Sequence, residues 1–269
     1  MDKLATIIIP VYKKELSNLE KISFKQVLKI LGKRYSICLI CPENLSLNSY
    51  YTIAQNYETI NLQHKRFPLF FFENIKSYNK LMLSVDFYEK FLNYKYLLIY
   101  QLDCYVFKDK LEYWCNQNYD YIGAPWFTYS IYNLTKFKKL KFFAKQYFNS
   151  ILKKKVTENS LYYKVGNGGL SLRKTEKFYQ ILLNYDQNII DQYTSNDSTS
   201  LFNEDVFWSY EVNKGFIKKL KIPNYKKAVQ FSIDPCPNIA MKFIYPGLPF
   251  GCHAWQKNSI FWKNYIKDK

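Results

Sequence analysis

Buried strands alternate with amphipathic helices along the first part of the chain. Residues 4–12 form a nearly unbroken apolar run that includes Pro10, which is typical of a strand buried on both faces. Residues 18–31 carry apolar side chains at helical spacing, and residues 35–41 form a second buried strand that stops at Pro42. Strand, helix and strand in this order form a βαβ unit, the opening of a nucleotide-binding α/β sheet. The sequence contains neither GxGxxG nor GxxxxGK[ST], so a dinucleotide-binding fingerprint and a P-loop are not supported.

A second series of elements leads to Asp103. Residues 69–72 are predicted as a third strand and residues 77–92 as a helix. Residues 96–102 then form a buried strand that delivers the carboxylate of Asp103 at its end. Because strand ends in an open α/β sheet face the ligand crevice, this carboxylate is well placed to hold a metal ion or a phosphate-linked sugar. An aspartate that simply starts a turn is the structural alternative.

A glycine-rich turn dominates the pattern of the second half. A helix over residues 110–118 and a strand over residues 119–126 come first. Residues 162–165 and 170–173 are then predicted as short strands on either side of the Gly-Asn-Gly-Gly stretch at 166–169. Asn-Gly favours a plain hairpin turn, whereas three glycines in four residues also let a backbone approach a ligand closely.

Two adjacent acids open the next predicted helix. This helix begins near Asn203, which is a good N-cap, and Gly215 is expected to end it. Glu204 and Asp205 lie in its first turn, where the helix dipole favours ionised carboxylates. A purely structural role for both acids is therefore an open alternative.

Composition and charge narrow the class of protein. The 269 residues are 48% hydrophobic and 19% aromatic, which indicates a globular chain. A net charge of +17, from 39 basic and 22 acidic residues, attracts phosphates, nucleic acid or an anionic membrane. The six cysteines lack the partner spacing of a zinc site, so we expect buried free thiols of a reducing compartment. No apolar run approaches the ~18 residues that span a bilayer, so we expect a cytoplasmic protein whose membrane contact is peripheral.

Much of the positive charge lies in one segment. Residues 130–157 contain no acid but eight lysines, interleaved with aromatic and aliphatic side chains. This pattern predicts a basic amphipathic helix, or a pair of helices, inserted into the domain and lying on an anionic membrane. The alternative is a solvated helix face whose aromatic residues join the core.

Six short motifs in order resemble one known family. They are Tyr78-Asn79-Lys80-Leu81-Met82, Tyr100-Gln101-Leu102-Asp103, Tyr121-Ile122-Gly123-Ala124-Pro125-Trp126, Gly166-Asn167-Gly168-Gly169-Leu170-Ser171-Leu172-Arg173, Glu204-Asp205-Val206-Phe207 and Gly251-Cys252-His253. Together they resemble the nucleotide-sugar glycosyltransferases of GT-A fold, in particular a bacterial group related to the β-1,3-type sugar transferases. The resemblance implies an α/β fold with a Rossmann-like mixed sheet flanked by helices. It also implies one catalytic domain over 1–269, with a nucleotide-sugar-binding half at about 1–125, the basic insertion at 130–160 and an acceptor and catalytic half at 161–269.

The resemblance also implies a metal site and a donor site. The family carries a DxD motif whose last aspartate binds a divalent metal; here Gln101 and Leu102 precede Asp103. Asp103 and His253 would hold Mn²⁺ or Mg²⁺, with phosphate oxygens and water as further ligands. The donor would contact the residues of four stretches: Pro10, Val11 and Tyr12; Tyr78, Asn79 and Lys80; Gln101, Leu102 and Asp103; and Gly168 and Gly169.

Catalysis is expected from the acidic pair. By resemblance, Asp205 would take the proton from the acceptor hydroxyl in an inverting reaction, with Glu204 as the reserve candidate. The helix N-terminus is expected to lower the pKa of Asp205 and keep it ionised.

The implied function is transfer of a sugar, with UDP-hexose as the expected donor, to a glycan or lipid-linked acceptor in bacterial surface polysaccharide or lipooligosaccharide synthesis. The enzyme would act at the inner face of the cell membrane, without nucleic acid as a partner. A basic nucleic-acid-binding protein is one alternative, although the basic residues are concentrated in one insertion and no nucleic-acid motif is present. A catalytically inactive transferase-fold scaffold is the other, because Gln101 replaces an acid.

Overall fold

A six-stranded mixed sheet forms the centre of the protein, and the computed structural model describes residues 3–195 and 200–266. The strand order is β3-β2-β1-β4-β7-β6. These strands are β1 (Lys3–Pro10), β2 (Ser36–Pro42), β3 (Leu62–Phe67), β4 (Tyr94–Tyr100), β6 (Tyr121–Ile122) and β7 (Leu170–Lys174). The first four strands run parallel, and β7 is antiparallel to β4 and to β6. The carboxyl ends of β1 and β4 therefore lie at the same edge as the start of β7.

A smaller sheet of three strands lies beside that edge. Its order is β5 (Tyr105–Val106), β9 (Gly251–Cys252) and β8 (Ser232–Ile233). Because β5 begins two residues after Asp103 and pairs with β9, the residue after β9, His253, is brought to the end of β4.

Fourteen α-helical segments within the described residues surround the sheets. They are α1 (Asn18–Leu31), α2 (Asn48–Ala54), α3 (Ile75–Met82), α4 (Val85–Glu89), α5 (Leu111–Asn116), α6 (Tyr129–Tyr132), α7 (Lys136–Ile151), α8 (Glu158–Leu161), α9 (Thr175–Asn184), α10 (Gln187–Thr194), α11 (Glu204–Val206), α12 (Tyr225–Ala228), α13 (Pro237–Ala240) and α14 (Ser259–Trp262). None of the helices that the structure describes combines the length and the apolar character needed to cross a bilayer. The predicted mixed sheet flanked by helices, with a basic helical insertion at α6 and α7, is confirmed.

Local sequence explains where α1 begins. Ser17 and Glu20 form a capping box: Ser17 Oγ accepts the Glu20 N–H at 3.3 Å, and Glu20 Oε2 accepts the Ser17 N–H at 2.8 Å. Phe24, Val27 and Leu28 then lie on the buried face of the helix. The predicted bounds of this helix are confirmed.

The cysteines are free thiols, as predicted, and five of the six are buried. Cys38 and Cys41 are spaced as a C-x-x-C pair but lie in β2, where side chains three residues apart point to opposite faces. Cys41 belongs to the core layer on one side of the sheet and Cys38 to the layer on the other.

Three element predictions were wrong in the region before β4 and around the glycine turn. The third strand is the polar edge strand β3, while residues 69–72 form a 3₁₀ turn after Pro68. The helix predicted over residues 77–92 is two helices, because Ser84 caps a new one by accepting the Phe87 N–H at 3.2 Å. Residues 162–165 are not a strand; Val165 makes an isolated bridge to Pro125, and β7 pairs with β4 and β6 instead.

The acidic pair opens a short, irregular helix. The α-helical part, α11, covers three residues and continues as a π-helix over Phe207–Glu211, so it ends before Gly215. Asn203 occupies the N-cap position, but its side chain does not cap the helix. Its Oδ1 instead accepts hydrogen bonds from Asn79 Nδ2 at 3.0 Å and Lys76 Nζ at 3.3 Å.

A buried ion pair joins this helix to the sheet. Arg173 on β7 has no exposed surface, and its Nη2 donates to Glu204 Oε1 at 2.9 Å. Arg173 also donates to the Tyr88 hydroxyl at 3.0 Å and to Ser171 Oγ at 3.1 Å. The guanidinium therefore ties β7, α4 and α11 together.

Arg173→Met is expected to lower the free energy of unfolding by about 3–5 kcal/mol, because it leaves the Glu204 carboxylate buried without its partner. Urea unfolding measures this change. The double variant Arg173→Met/Glu204→Leu should recover most of the loss. Arg34→Met, which removes two surface ion pairs, with Asp109 and Glu112, should change stability little. A loss below about 1 kcal/mol for Arg173→Met alone would contradict the assigned role.

Candidate active site

A cleft of about 630 Å³ opens at the carboxyl ends of β1 and β4. Seven of the predicted donor-binding residues line it: Pro10, Val11, Tyr12, Tyr78, Gln101, Leu102 and Asp103. The other lining residues, which no sequence motif marks, include Glu20, Tyr50, Asn74 and Gln256. Polar atoms and aromatic rings thus share the lining, as is typical of sites that bind small molecules.

His253 lies between two carboxylates, one of which, Asp103, lines this cleft. Its Nε2 is 3.2 Å from Asp103 Oδ1, and its Nδ1 is 3.5 Å from Asp234 Oδ1. Asp234 is held in turn by Asn167, whose Nδ2 donates to Asp234 Oδ2 at 2.5 Å. Burial opposes the charged imidazolium, but the two carboxylates outweigh it and raise the pKa of His253 to about 10. The buried imidazole of His253 therefore has a carboxylate oxygen near each of its two ring nitrogens.

The same atoms are suited to a divalent metal. Asp103 Oδ1 and both ring nitrogens of His253 are buried and lack a well-aligned hydrogen bond among the described residues. Cys104 Sγ lies nearby, but burial raises the pKa of its thiol well above the usual value and the thiol donates to the Gly169 carbonyl at 3.1 Å. Asp103 and His253 therefore fit as the two protein ligands, and Asp234 fits as the partner that orients the imidazole.

Two consecutive glycines separate His253 from the acidic pair. A Cβ atom on Gly169 would lie 2.2 Å from His253 Nε2, and one on Gly168 would lie 2.3 Å from Glu204 Oε1. Neither distance leaves room for a side chain, so both positions require glycine. The glycine turn thus allows His253 to approach the backbone at Gly169 and Glu204 to approach it at Gly168.

The two acids of α11 differ in their surroundings. Glu204 is neutralised by Arg173, whereas Asp205 accepts backbone N–H groups of Val206, at 2.8 Å, and of Gly168. Burial, followed by the charge of Glu204, raises the pKa of Asp205 to about 7 in spite of these hydrogen bonds. The predicted lowering of this pKa was wrong, because burial and the neighbouring charge of Glu204 outweigh the backbone hydrogen bonds at the start of α11.

Other predicted residues lie outside the cleft lining. Asn79 is buried and supports α11: its Oδ1 accepts the Glu204 N–H at 3.4 Å, and its amide contacts Asn203. Lys80 is partly buried on α3 and is not part of the lining. Asp234 was missed because it stands alone in the sequence, next to no motif. Arg173 lies within the glycine-turn motif, but no role was predicted for it, because the sequence does not show that this arginine is buried.

A family model matches residues 61–253, described as a protein of unknown function, DUF5672. The chain belongs to the DUF5672 family. The matched region of this DUF5672 protein extends from β3 to His253, so it includes Asp103, the glycine turn, the acidic pair and Asp234. A search of the curated proteins finds no match.

Solved structures similar to this DUF5672 protein are glycosyltransferases. Mouse xyloside xylosyltransferase 1 in its apo form has a TM-score of 0.54 at 10% identity, over 94% of this chain and 97% of that one. The galactosyltransferase LgtC in complex with donor and acceptor sugar analogues gives 0.55 at 14%, over 92% and 86%. Core-mannan synthase A of Aspergillus fumigatus in an Mn/GDP form gives 0.52 at 14%, over 82% and 72%. At these identities the likeness shows the fold, which is GT-A.

Asp234→Asn is expected to lower the pKa of His253 from about 10, because it removes one of the two anions that stabilise the imidazolium. The chain has two histidines, so ¹³C-histidine labelling gives two NMR signals, and the signal of His64 on β3 is the internal control. Identical titration of His253 in both proteins would contradict the described arrangement.

Proposed function

We propose that this protein is a metal-dependent glycosyltransferase that moves a hexose from a nucleotide sugar, most simply a UDP-hexose, to an acceptor hydroxyl with inversion. The observation that carries the proposal is the Gly168–Gly169 turn, which has the Asp103–His253 pair on one side and Asp205 on the other. The GT-A likeness supports the same reaction class.

The donor would lie in the cleft at the ends of β1 and β4. Pro10, Val11 and Tyr12 would contact the base and ribose, with Tyr78 near the diphosphate. Tyr12 is 57% exposed and Lys13 Nζ lies 5.3 Å from its ring centroid, so one face of the ring would stack on a planar base. Lys80 is not part of the lining, and Asn79 would act through α11 rather than on the donor.

Asp103 and His253 would hold Mn²⁺ or Mg²⁺ beside the diphosphate. When bound, the metal would stabilise the negative charge of the departing diphosphate as a Lewis acid. Asp234 would keep the imidazole directed at this position. Gln101 would contribute no charge, so the chain would supply one carboxylate instead of the usual two.

Asp205 would act as the general base. The acceptor oxygen would attack the anomeric carbon as the bond to the diphosphate oxygen breaks, and Asp205 would take the hydroxyl proton. A pKa of about 7 makes Asp205 a stronger base than an ordinary aspartate while leaving much of it ionised at neutral pH. Glu204 is less suited because Arg173 already holds its charge.

The acceptor would be a glycan or a lipid-linked glycan, used in bacterial surface polysaccharide or lipooligosaccharide synthesis at the inner membrane face. The exposed lysine-rich helix α7 supports an anionic membrane as partner. An inactive scaffold is the second candidate, and the replacement of an acid by Gln101 favours it.

A panel of UDP- and other nucleotide-sugars, incubated with and without Mn²⁺, tests the proposal. Metal-stimulated hydrolysis or transfer from one donor would support the enzyme and name its sugar nucleotide. Absence of turnover from every donor, in a folded protein that still binds UDP, would favour the scaffold instead.

Asp103→Ala should weaken UDP binding in the presence of Mn²⁺ by more than about tenfold, because no second carboxylate of a DxD motif remains to hold the metal. Calorimetry measures the affinity. Asp86→Ala removes an exposed carboxylate on α4 and is the matched control. Equal affinity of Asp103→Ala and the unchanged protein would refute the metal site.

Asp205→Asn should keep the fold and the UDP affinity while the transfer rate falls by at least about 10²-fold, as expected for a lost general base. Because only the ionised carboxylate accepts a proton, transfer by the unchanged protein should rise with pH through about 7 and then level off. Glu204→Gln should mainly reduce stability, since it weakens the pair with Arg173. A rate of Asp205→Asn near that of the unchanged protein would show that the acid has a structural role.

A further inference from the structure

Two segments that are far apart in sequence meet to form one exposed apolar and basic surface. The first is α7 with the residues after it, up to 155. The second is the loop of residues 214–219, which follows the π-helix Phe207–Glu211. We name the two together the 136–155/214–219 surface.

The outward face of α7 is apolar. Phe137, Leu140 and Phe148, with Leu152 just beyond the helix, are between 61% and 68% exposed. Their spacing of three, eight and four residues places them on one side of the helix. The buried residues of α7 are instead the polar Gln146 and Ser150. Phe142 and Phe143 also pack against the core, so α7 carries apolar side chains on both its inner and its outer side.

The 214–219 loop adds two exposed apolar side chains next to the C-terminal end of α7. Phe216 and Ile217 are 80% and 85% exposed, among the most exposed large apolar side chains of the described residues. The loop is fixed to the end of α7, because the Gly215 N–H donates to the Ser150 carbonyl at 2.9 Å. Gly215 has a φ of +89°, a left-handed conformation that favours glycine, and the position of its absent Cβ is 3.3 Å from Lys153 Cε.

Lysines surround these apolar side chains. The helical segment contributes the lysines at positions 136, 138, 139, 141, 145, 153, 154 and 155. The loop and its flank contribute the lysines at 214, 218, 219 and 221, of which Lys214 pairs with Glu211. Neither residues 130–157 nor residues 212–224 contain an acid.

We propose that the 136–155/214–219 surface docks on an anionic lipid bilayer, with Phe216 and Ile217 inserted among the acyl chains beside the apolar stripe of α7. The inference deepens the membrane contact within the proposed function. Charge complementarity favours this occupant, because lysine ammonium groups attract anionic headgroups while the apolar side chains enter the interface. A second copy of the chain would place lysines against lysines, and a nucleic acid would leave Phe216 and Ile217 without an apolar partner.

Ile217→Ser tests the inserted residue. Its matched control is Ile260→Ser, which removes an isoleucine of similar exposure, 82%, from α14. Co-sedimentation with phosphatidylcholine vesicles containing phosphatidylglycerol should show about tenfold weaker partitioning for Ile217→Ser and no change for Ile260→Ser. Equal partitioning of the two variants would overturn the proposal. Thermal unfolding of each variant checks that the fold is intact.

The lysines are tested by Lys154→Glu/Lys155→Glu, with Lys25→Glu/Lys29→Glu on α1 as the charge-matched control. The first double variant should lose at least about tenfold in partitioning, since each basic contact contributes about 1 kcal/mol, and the control should lose less. Lys138→Glu/Lys139→Glu/Lys141→Glu should also weaken binding.

The outcomes separate this inference from the rest of the proposed function. If the lysine variants lose binding while Ile217→Ser does not, the surface is purely electrostatic, as for nucleic acid, and the insertion is refuted. If the unchanged protein does not bind the anionic vesicles, both the insertion and the membrane contact of the proposed function are refuted. Binding is measured without donor or acceptor, so neither result depends on glycosyl transfer, which the nucleotide-sugar panel tests separately.

Discussion

The buried pair of Arg173 and Glu204 is the interaction on which the arrangement of the site depends. A guanidinium with no exposed surface has a large desolvation penalty, which is offset only while its hydrogen-bond partners stay in place. Those partners belong to α11, α4 and β7 itself. A buried ion pair of this kind contributes less to net stability than to specificity, because any other packing of the three elements would leave a charge unpaired. The start of α11 is therefore fixed against the sheet at the point where the cleft opens.

This constraint gives two adjacent acids different chemistry. Glu204 is held by Arg173 and lies against Gly168, so its charge is fixed beneath the site. Asp205 faces that charge, and the combination of burial and repulsion raises its pKa to about 7. On the other side of the turn, Gly169 gives His253 the space to lie between its two carboxylates. One backbone segment thus separates the Asp103–His253 pair from the Asp205 carboxylate, a division that the proposed glycosyl transfer would use.

The sequence predicted those parts of the fold that local patterns determine. The capping box and the apolar face place α1 at residues 18–31, and the apolar run before Asp103 marks β4. Pairing between distant segments was harder to predict from the sequence. The polar edge strand β3 has the composition of a loop, and the strand after the glycine turn pairs with β4 instead of closing a hairpin. Asp234 approaches His253 only through the parallel pairing of β8 with β9, for which no local pattern exists. The pKa of Asp205 likewise depends on tertiary burial, so a helix-dipole argument gave the wrong direction.

The proposed function requires the diphosphate and its metal to lie at His253. Paramagnetic relaxation by Mn²⁺ tests it in ¹³C-histidine-labelled protein, because a paramagnetic ion broadens the signals of nuclei close to it. With UDP present, small additions of Mn²⁺ should broaden the His253 signal strongly and the His64 signal, on the edge strand β3, far less. Without UDP the effect on His253 should be weaker, since Asp103 and His253 supply only part of the coordination shell. A His253 signal that stays sharp with UDP and Mn²⁺, or equal broadening of both histidines, would contradict the account.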